Sequence, residues 1–280
     1  LTVHLRDEGP RDAPVLVLLH GSNADLHTWQ AWTRKLSGKF RVIRYDQIGH
    51  GLTGPNPAGG HGPAAMVEVL ERLRTKLGLE QFALAGNSMG GGLAARYAST
   101  HPQHVSALIL VDAAGAPRKA GGGRGNIGFT LAAMPGVNLL AQSITPRSLV
   151  ERSLSQSVSN KTVVTPAAVD RYWELLRFPG NRAATMMRFS RPFVNDRAAE
   201  RARGITAPTL VIFGREDRII NPSAAANRRS MSASIALSES SECSIVIRTS
   251  LGRTRSSTTG RSFIAPRTGA SDGDQSPPIP

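Results

Sequence analysis

Apolar residues fall along this chain in short continuous runs, each ended by glycine, aspartate or asparagine. "VLVLLHG" (15–21), "FRVIRYD" (40–46), "QFALAGN" (81–87), "VSALILVDA" (105–113) and "APTLVIFG" (207–214) are such runs. None alternates apolar with polar, so each predicts a strand buried on both faces. Between them lie stretches with helical apolar spacing. "PAAMVEVLERLRTKLG" (63–78) opens with Pro63 and stops at Gly78, and "MGGGLAARYAST" (89–100) is a second helix. Strand and helix in alternation imply βαβ units, right-handed crossovers and a mostly parallel, doubly wound α/β sheet.

The texture changes between the fourth and fifth runs, over about ninety residues. "TPRSLVERSL" (145–154) and "TPAAVDRYWELL" (165–176) both open with Thr-Pro. Threonine caps a helix and proline fits its first turn, so both stretches predict helices. Residues 116–205 therefore read as a helical insertion after a strand's carboxyl end, where open α/β sheets bind ligands. That placement makes it a lid, with Met134, Leu139 and Trp173 expected near the pocket mouth.

"GNSMG" (86–90) fits G-x-S-x-G, with the strand before it and the helix after it that the motif requires. Gly86 and Gly90 let two backbones pass closely while the side chain of Ser88 is thrust outward. Ser88 is the candidate nucleophile. The start of a helix also offers N–H groups to a developing oxyanion. Met89 N–H is one such donor. "LLHGSNADLHTW" (18–29) supplies Ser22, with Asn23 beside it, as the second. His20 reads as a buttress of that loop, and His50 in "DQIGHG" (46–51) as a turn residue. "FGREDRIINP" (213–222) sets Asp217 after the fifth strand, where an acid could orient an imidazole; Asp112 is the reserve.

Taken together, "HGSN", "DQIGHG", "GNSMGG", "HPQHVSALILVDAAG" and "APTLVIFGREDRIINP" resemble the α/β-hydrolase superfamily over residues 1 to about 229. "GNSMGG" in particular is similar to the elbow of carbon–carbon bond hydrolases that cleave ring-fission products, and of esterase-like relatives. The resemblance implies Ser88 as nucleophile, Asp217 as acid, a helical lid and no cofactor. It divides the chain into a core (1–115 and 206–229), a lid (116–205) and a remainder (230–280). It also implies a histidine in a Gly-His loop, about thirty residues beyond the acid.

That histidine is missing. The chain has 7 histidines: His4, His20, His27, His50, His61, His101 and His104. The elbow helix carries His101 and His104 about 18 Å away, toward the opposite edge of the sheet. His20, His27 and His50 are on the right edge but belong to other loops. From Ser230 onward the chain is rich in Ser, Thr, Arg, Gly and Pro, and only "SIVI" (244–247) could be a strand. Such a composition predicts an unordered tail in place of the family's last strand and helix. A change of reading frame near residue 229 accounts for a tail where a domain's end belongs. Reading the gene in its other frames for a Gly-His and an amphipathic helix tests that account. The sequence thus predicts a hydrolase of a small ester, or of a carbon–carbon bond next to a carbonyl, impaired by the absent base. The alternative is a non-catalytic protein that binds a small ligand.

Composition changes the picture little. One cysteine, Cys243, excludes an internal disulfide and a cysteine metal cluster. No metal site is expected. The net charge of +14 owes much to Arg147, Arg152, Arg171, Arg177, Arg182, Arg188, Arg191 and Arg203. They recur at helical spacing without interleaved aromatics, which favours a solvated face over a nucleic-acid surface. The expected partner is a small molecule. No apolar run is long enough to span a membrane, and no charged-then-apolar leader is present. The cytoplasm is the expected location, although the chain opens at Leu1 without methionine, so an upstream leader stays open.

Overall fold

The computed structural model describes residues 1–115, 126–134, 136–190, 202–214, 216–217, 219–220, 236–240 and 243–248. One sheet holds β1 (Leu5–Glu8), β2 (Val15–Leu19), β3 (Arg41–Tyr45), β4 (Phe82–Asn87), β5 (Val105–Val111), β6 (Thr209–Gly214), β7 (Ala236–Ser240) and β8 (Cys243–Arg248). Their order is β1-β3-β2-β4-β5-β6-β8-β7. The five strands from β3 through β2, β4 and β5 to β6 run parallel. These are the five apolar runs read from the sequence.

Both faces of the sheet are buried, which is why those runs do not alternate. Along β2, Val17 and Leu19 join one cluster with Leu84, Leu108, Leu93 and Tyr97. Leu16 and Leu18 join another with Trp29 and Val42. Leu18, Leu84 and Leu108 are fully inaccessible to solvent. Burying each such side chain stabilises the fold by about 1.5–3 kcal/mol. α2 (Pro63–Lys76) and α3 (Met89–Thr100) contribute Met66, Leu70, Leu93 and Ala94 to the first cluster.

Two elements escaped the sequence pattern. β1 pairs antiparallel with β3 and is only half buried, so it lacks an apolar run. α1 (Gln30–Leu36), "QAWTRKL", has a single buried residue, Thr33, and hence no stripe.

The insertion between β5 and β6 contains α4 (Ile127–Ala133), α5 (Val137–Ser143), α6 (Arg147–Ser157), α7 (Pro166–Arg177) and α8 (Asn181–Ser190). The two Thr-Pro starts differ. Thr165 caps α7 as expected, its hydroxyl accepting Ala168 N–H at 3.2 Å. α6 begins one residue later than its motif predicts, with Pro146 at the cap and no side-chain cap bond. Residues 116–125, in the Gly-rich entry to the insertion, lie outside the described residues, as do 191–201.

The expectation of a tail without a last strand meets a strand pair. β8 includes the "SIVI" stretch and hydrogen-bonds to β6, with β7 beside it. Both pairings are antiparallel, unlike the parallel core. Residues 249–280 lie outside the described ones.

Candidate active site

Ser88 joins the end of β4 to the start of α3. Its backbone sits at φ 52°, ψ −118°, a conformation L residues rarely adopt. The strain persists because the surroundings leave no alternative. A Cβ on Gly86 would lie 2.2 Å from Gly90 O, and one on Gly90 would lie 2.3 Å from Leu19 O. Ser88 N–H donates to Val111 O at 3.0 Å, and Ser88 O accepts Gly92 and Ala114 N–H at 3.1 and 2.9 Å. The turn is thereby tied to β5 and to α3.

The loop after β2 runs directly against this turn. A Cβ on Gly21 would stand 3.2 Å from Ser88 Cβ. The Ser22 hydroxyl donates to Met89 Sδ at 3.2 Å, holding the two residues together. Among the described residues, no acceptor is bound by Ser22 N–H or Met89 N–H. Asn23 follows with φ 53°.

Ser88 opens into a cavity of about 1440 Å³ between the strand ends and the insertion. Ser22, Asn23, Asp112 and Asp217 line its core side; Phe129, Leu149, Val150, Tyr172, Leu176 and Met186 line the insertion side. Of the side chains expected near its mouth, Trp173 turns away. Its indole N–H donates to Thr145 O at 2.8 Å and Arg177 stacks over its ring at 4.1 Å, so Tyr172 and Leu176 face inward instead. Met134 is exposed and does not line the cavity; the Leu139 side chain lies outside the described residues.

The two acids differ. Asp217 Oδ1 accepts Ile219 and Ile220 N–H at 2.7 and 2.9 Å, which closes its own turn. Oδ2 accepts no hydrogen bond among the described residues. Asp112, at φ 44° on the end of β5, accepts Gly214 N–H at 2.8 Å. Burial pushes its carboxyl up; the Gly214 hydrogen bond pulls it down and the Asp217 charge raises it further.

No histidine lines the cavity among the described residues. His20 is fully buried and fully engaged: Nδ1 donates to Gly21 O at 2.8 Å, and Nε2 accepts Gln47 N–H at 3.0 Å. It braces the loop after β2 against Gln47. Burial lowers its pKa, against the raising influence of Asp46. His50 Nδ1 donates to Ile48 O at 3.0 Å, and its ring meets His20 edge-on at 5.0 Å. His27 is turned to Asp25, Nδ1 to Oδ1, at 2.6 Å. His101 stacks on Tyr97 at the far end of α3, with 4.6 Å between ring centroids.

Sequence reasoning saw Arg188 only as charge. In α8 it is half-buried, donating from Nη2 to Thr185 Oγ1 at 2.8 Å and to Asn23 Oδ1 at 3.3 Å. Burial lowers its pKa to about 10. Its contact with Gly49 on the 46–51 turn is tertiary, and no local motif announces it. Among the described residues no cluster of metal-ligating side chains occurs, and no helix is long and apolar enough to cross a membrane.

A strand-ended serine elbow under a helical insertion defines a class, and the comparisons agree. Residues 14–230 match the family model described as alpha/beta hydrolase fold. The chain belongs to that family of hydrolases. A 2-hydroxy-6-oxononadienedioate/2-hydroxy-6-oxononatrienedioate hydrolase of Cupriavidus pinatubonensis is 30% identical over 234 residues, covering 78% of this chain and 75% of that one. An uncharacterised protein of Mycobacterium tuberculosis is 35% identical over 122 residues, which are 44% of this chain. The match spans only 34% of that mycobacterial protein's length. Among solved structures, the 2-hydroxy-6-oxo-6-phenylhexa-2,4-dienoate hydrolase of a Rhodococcus strain superposes with a TM-score of 0.66 at 21% identity, over 80% of this chain and 86% of that one. A loop variant of a Bradyrhizobium elkanii haloalkane dehalogenase has a similar fold, with a TM-score of 0.67 at 21% identity over 81% and 80% of the two chains.

Proposed function

We propose that this chain is an α/β-type serine hydrolase with an incomplete catalytic set. Ser88 is the nucleophile, Ser22 and Met89 N–H groups form the oxyanion hole, and Asp217 is the acid that would orient a base. Residues 116–205 act as the lid over a core of 1–115 and 206–229, and 230–280 stand outside that core. The observation that carries the reading is the strained Ser88 turn opening into a cavity shared with Asp217. Among the described residues, Asp217 Oδ2 and the two N–H groups have no hydrogen-bond partner, which supports it. The substrate is a small ester or a carbon–carbon bond next to a carbonyl, in keeping with the relatives named as dienoate and dienedioate hydrolases.

The chemistry follows from the groups present. Ser88 Oγ adds to the substrate carbonyl carbon. The carbonyl oxygen becomes the oxyanion, and the two N–H groups receive it. The serine proton needs a base within about 3 Å of Oγ. No imidazole lines the cavity, so the proton is left to water and the addition is slow. Loss of a triad member costs as much as ~10⁶ in kcat in a well-studied protease. A specific observation, the absence of that imidazole, also favours a second reading: a pocket that binds a small ligand without turning it over. Arg147 and Arg171 pair with carboxylates and Arg177 stacks on Trp173, which supports a solvated basic face rather than a nucleic-acid surface.

The test is a fluorophosphonate probe together with nitrophenyl acetate turnover, on the chain and on Ser88→Ala. Feeble turnover, little changed by Ser88→Ala and lacking a bell-shaped pH profile, is expected. Robust turnover abolished by the substitution would mean that a base does reach Ser88.

A further inference from the structure

The contact between α8 and the turn after β3 is unusual in its polarity. Four buried polar atoms without a hydrogen-bond partner among the described residues belong to it: Gln47 Oε1 and His50 Nε2 on the turn, Asn181 Oδ1 and Arg188 Nε on α8. The two sides are otherwise well joined. Asn181 Nδ2 donates to Gly51 O at 2.9 Å and Arg188 Nη1 to Gly49 O at 3.4 Å. A Cβ on Gly49 would meet Ala184 Cβ at 2.6 Å and Arg188 Nη1 at 2.7 Å, so the backbones are pressed together.

The cationic groups in this seam outnumber its one acid, Asp46 at the start of the turn. Arg188 has no carboxylate partner among the described residues. His50 faces Arg188 from α8 and His20 from the end of β2. His61, in the loop before α2, packs against Gly49 and also feels Arg188. Its Nε2 accepts Asn56 N–H at 3.2 Å. The nearest acids act on His20 and are already occupied. Asp46 accepts from His4, Leu26 and Leu52, and Asp25 holds His27 with Arg171 3.8 Å away.

We propose that the docking of α8 on the 46–51 turn is a pH-sensitive latch, which acidification loosens to open the Ser88 cavity. The inference rests on reading the insertion as a lid, since α8 supplies Thr185 and Met186 to the cavity wall. A neutral His50 tolerates the Arg188 guanidinium. A protonated His50 places a second cation beside it, while Asp46, the acid of the turn, is already engaged by His4, Leu26 and Leu52. Burial and the Arg188 charge both hold the His50 pKa well below its ordinary value of 6.5. Closure is therefore fully supported above that ordinary value. It weakens as pH falls below it, because the open state takes up the proton and the closed state does not.

Hydrogen exchange on the intact chain tests the latch, at about pH 7.5 and pH 5, with rates corrected for intrinsic chemistry. Protection in 181–190 and 46–51 should fall about tenfold or more at the lower pH, while β4 and β5 keep theirs. In His50→Gln, with near-UV circular dichroism confirming the fold, that fall should shrink to about threefold or less. If His50→Gln does not fold, Arg188→Met serves, since it removes the fixed charge and should flatten the same response. Equal protection at both pH values, a fall unchanged in the variant, or simultaneous loss in β4 and β5 would each overturn the latch. The serine probe reads the chemistry of Ser88 instead, so the two readings fail separately.

Discussion

Replacing Gly86 by alanine tests whether the elbow is held by steric necessity. Gly86 has no left-handed backbone, so an alanine there carries no conformational penalty. The effect is purely one of space. The new Cβ would stand 2.2 Å from Gly90 O, 2.4 Å from Gly90 C and 2.6 Å from Gly91 N, where ordinary contact begins at 3.4 Å. All three atoms are buried backbone and cannot swing aside, so β4 and α3 must part by about 1 Å. Overpacking that side chains can absorb costs about 1–3 kcal/mol. Backbone against backbone belongs at or beyond the top of that range, about 3 kcal/mol. For a chain of this size each kcal/mol moves Tm by about 2–4 °C, so a fall of about 6–12 °C is expected. Thermal melts followed by circular dichroism measure it. Gly38→Ala is the control: no atom lies within 4 Å of its Cβ position, and its stability should stay within about 0.5 kcal/mol. A Gly86→Ala protein melting within about 2 °C of the parent would refute the argument.

Other outcomes follow from buried polar groups. The Asp112 carboxyl is raised by burial, so its charged form is unfavourable in the folded state. Its penalty is absent below the ordinary carboxylate range and grows as pH rises through the raised value. Asp112→Asn, which keeps an acceptor for Gly214 N–H, should therefore raise the urea midpoint near neutral pH and lose that advantage near pH 3; a lower midpoint at neutral pH would contradict it. Tyr97 OH donates to Glu71 Oε2 at 2.6 Å, and Arg74 with this hydroxyl holds the Glu71 carboxyl down to about 2. Tyr97→Phe should cost about 1.5–3 kcal/mol in urea unfolding at neutral pH. The deficit should fade as pH drops below 4.5 toward 2, where Glu71 takes up its proton. A deficit independent of pH would show that packing, not the hydrogen bond, was lost.

The parts legible in the sequence are those with local causes. β2, β3, β4, β5 and β6 are rich in apolar residues because both sheet faces are covered, and the elbow is readable because Gly86 and Gly90 have no substitutes. Thr165 announces α7 because a cap acts within one turn. Elements whose stability comes from distant partners were invisible. β1 depends on its register with β3, Leu5 opposite Tyr45. Arg188 is inward only because α8 meets the 46–51 turn, more than a hundred residues earlier. Trp173 and Tyr172 are neighbours on α7, and only the tertiary contact with Thr145 decides which of them faces the cavity.

The missing base has the same kind of explanation. The proposed nucleophile and acid are each set at a strand's carboxyl end by residues close in sequence: Gly86 and Gly90 for Ser88, Ile219 and Ile220 for Asp217. A triad histidine needs a strand running the same way, so that its loop leaves from the same edge. β8 occupies the place beside β6 but runs against it, with Cys243 opposite Gly214 and Arg248 opposite Thr209. β8 therefore ends, at Arg248, on the edge remote from Ser88. The strand-pair residues on the near edge are Ser240 and Cys243, which face each other beside Gly214. In this arrangement Ser88 and the turn of Asp217 lie at one edge of the sheet and the end of β8 at the other, so the proposed incomplete catalytic set goes with the direction of β8 as well as with the histidine count.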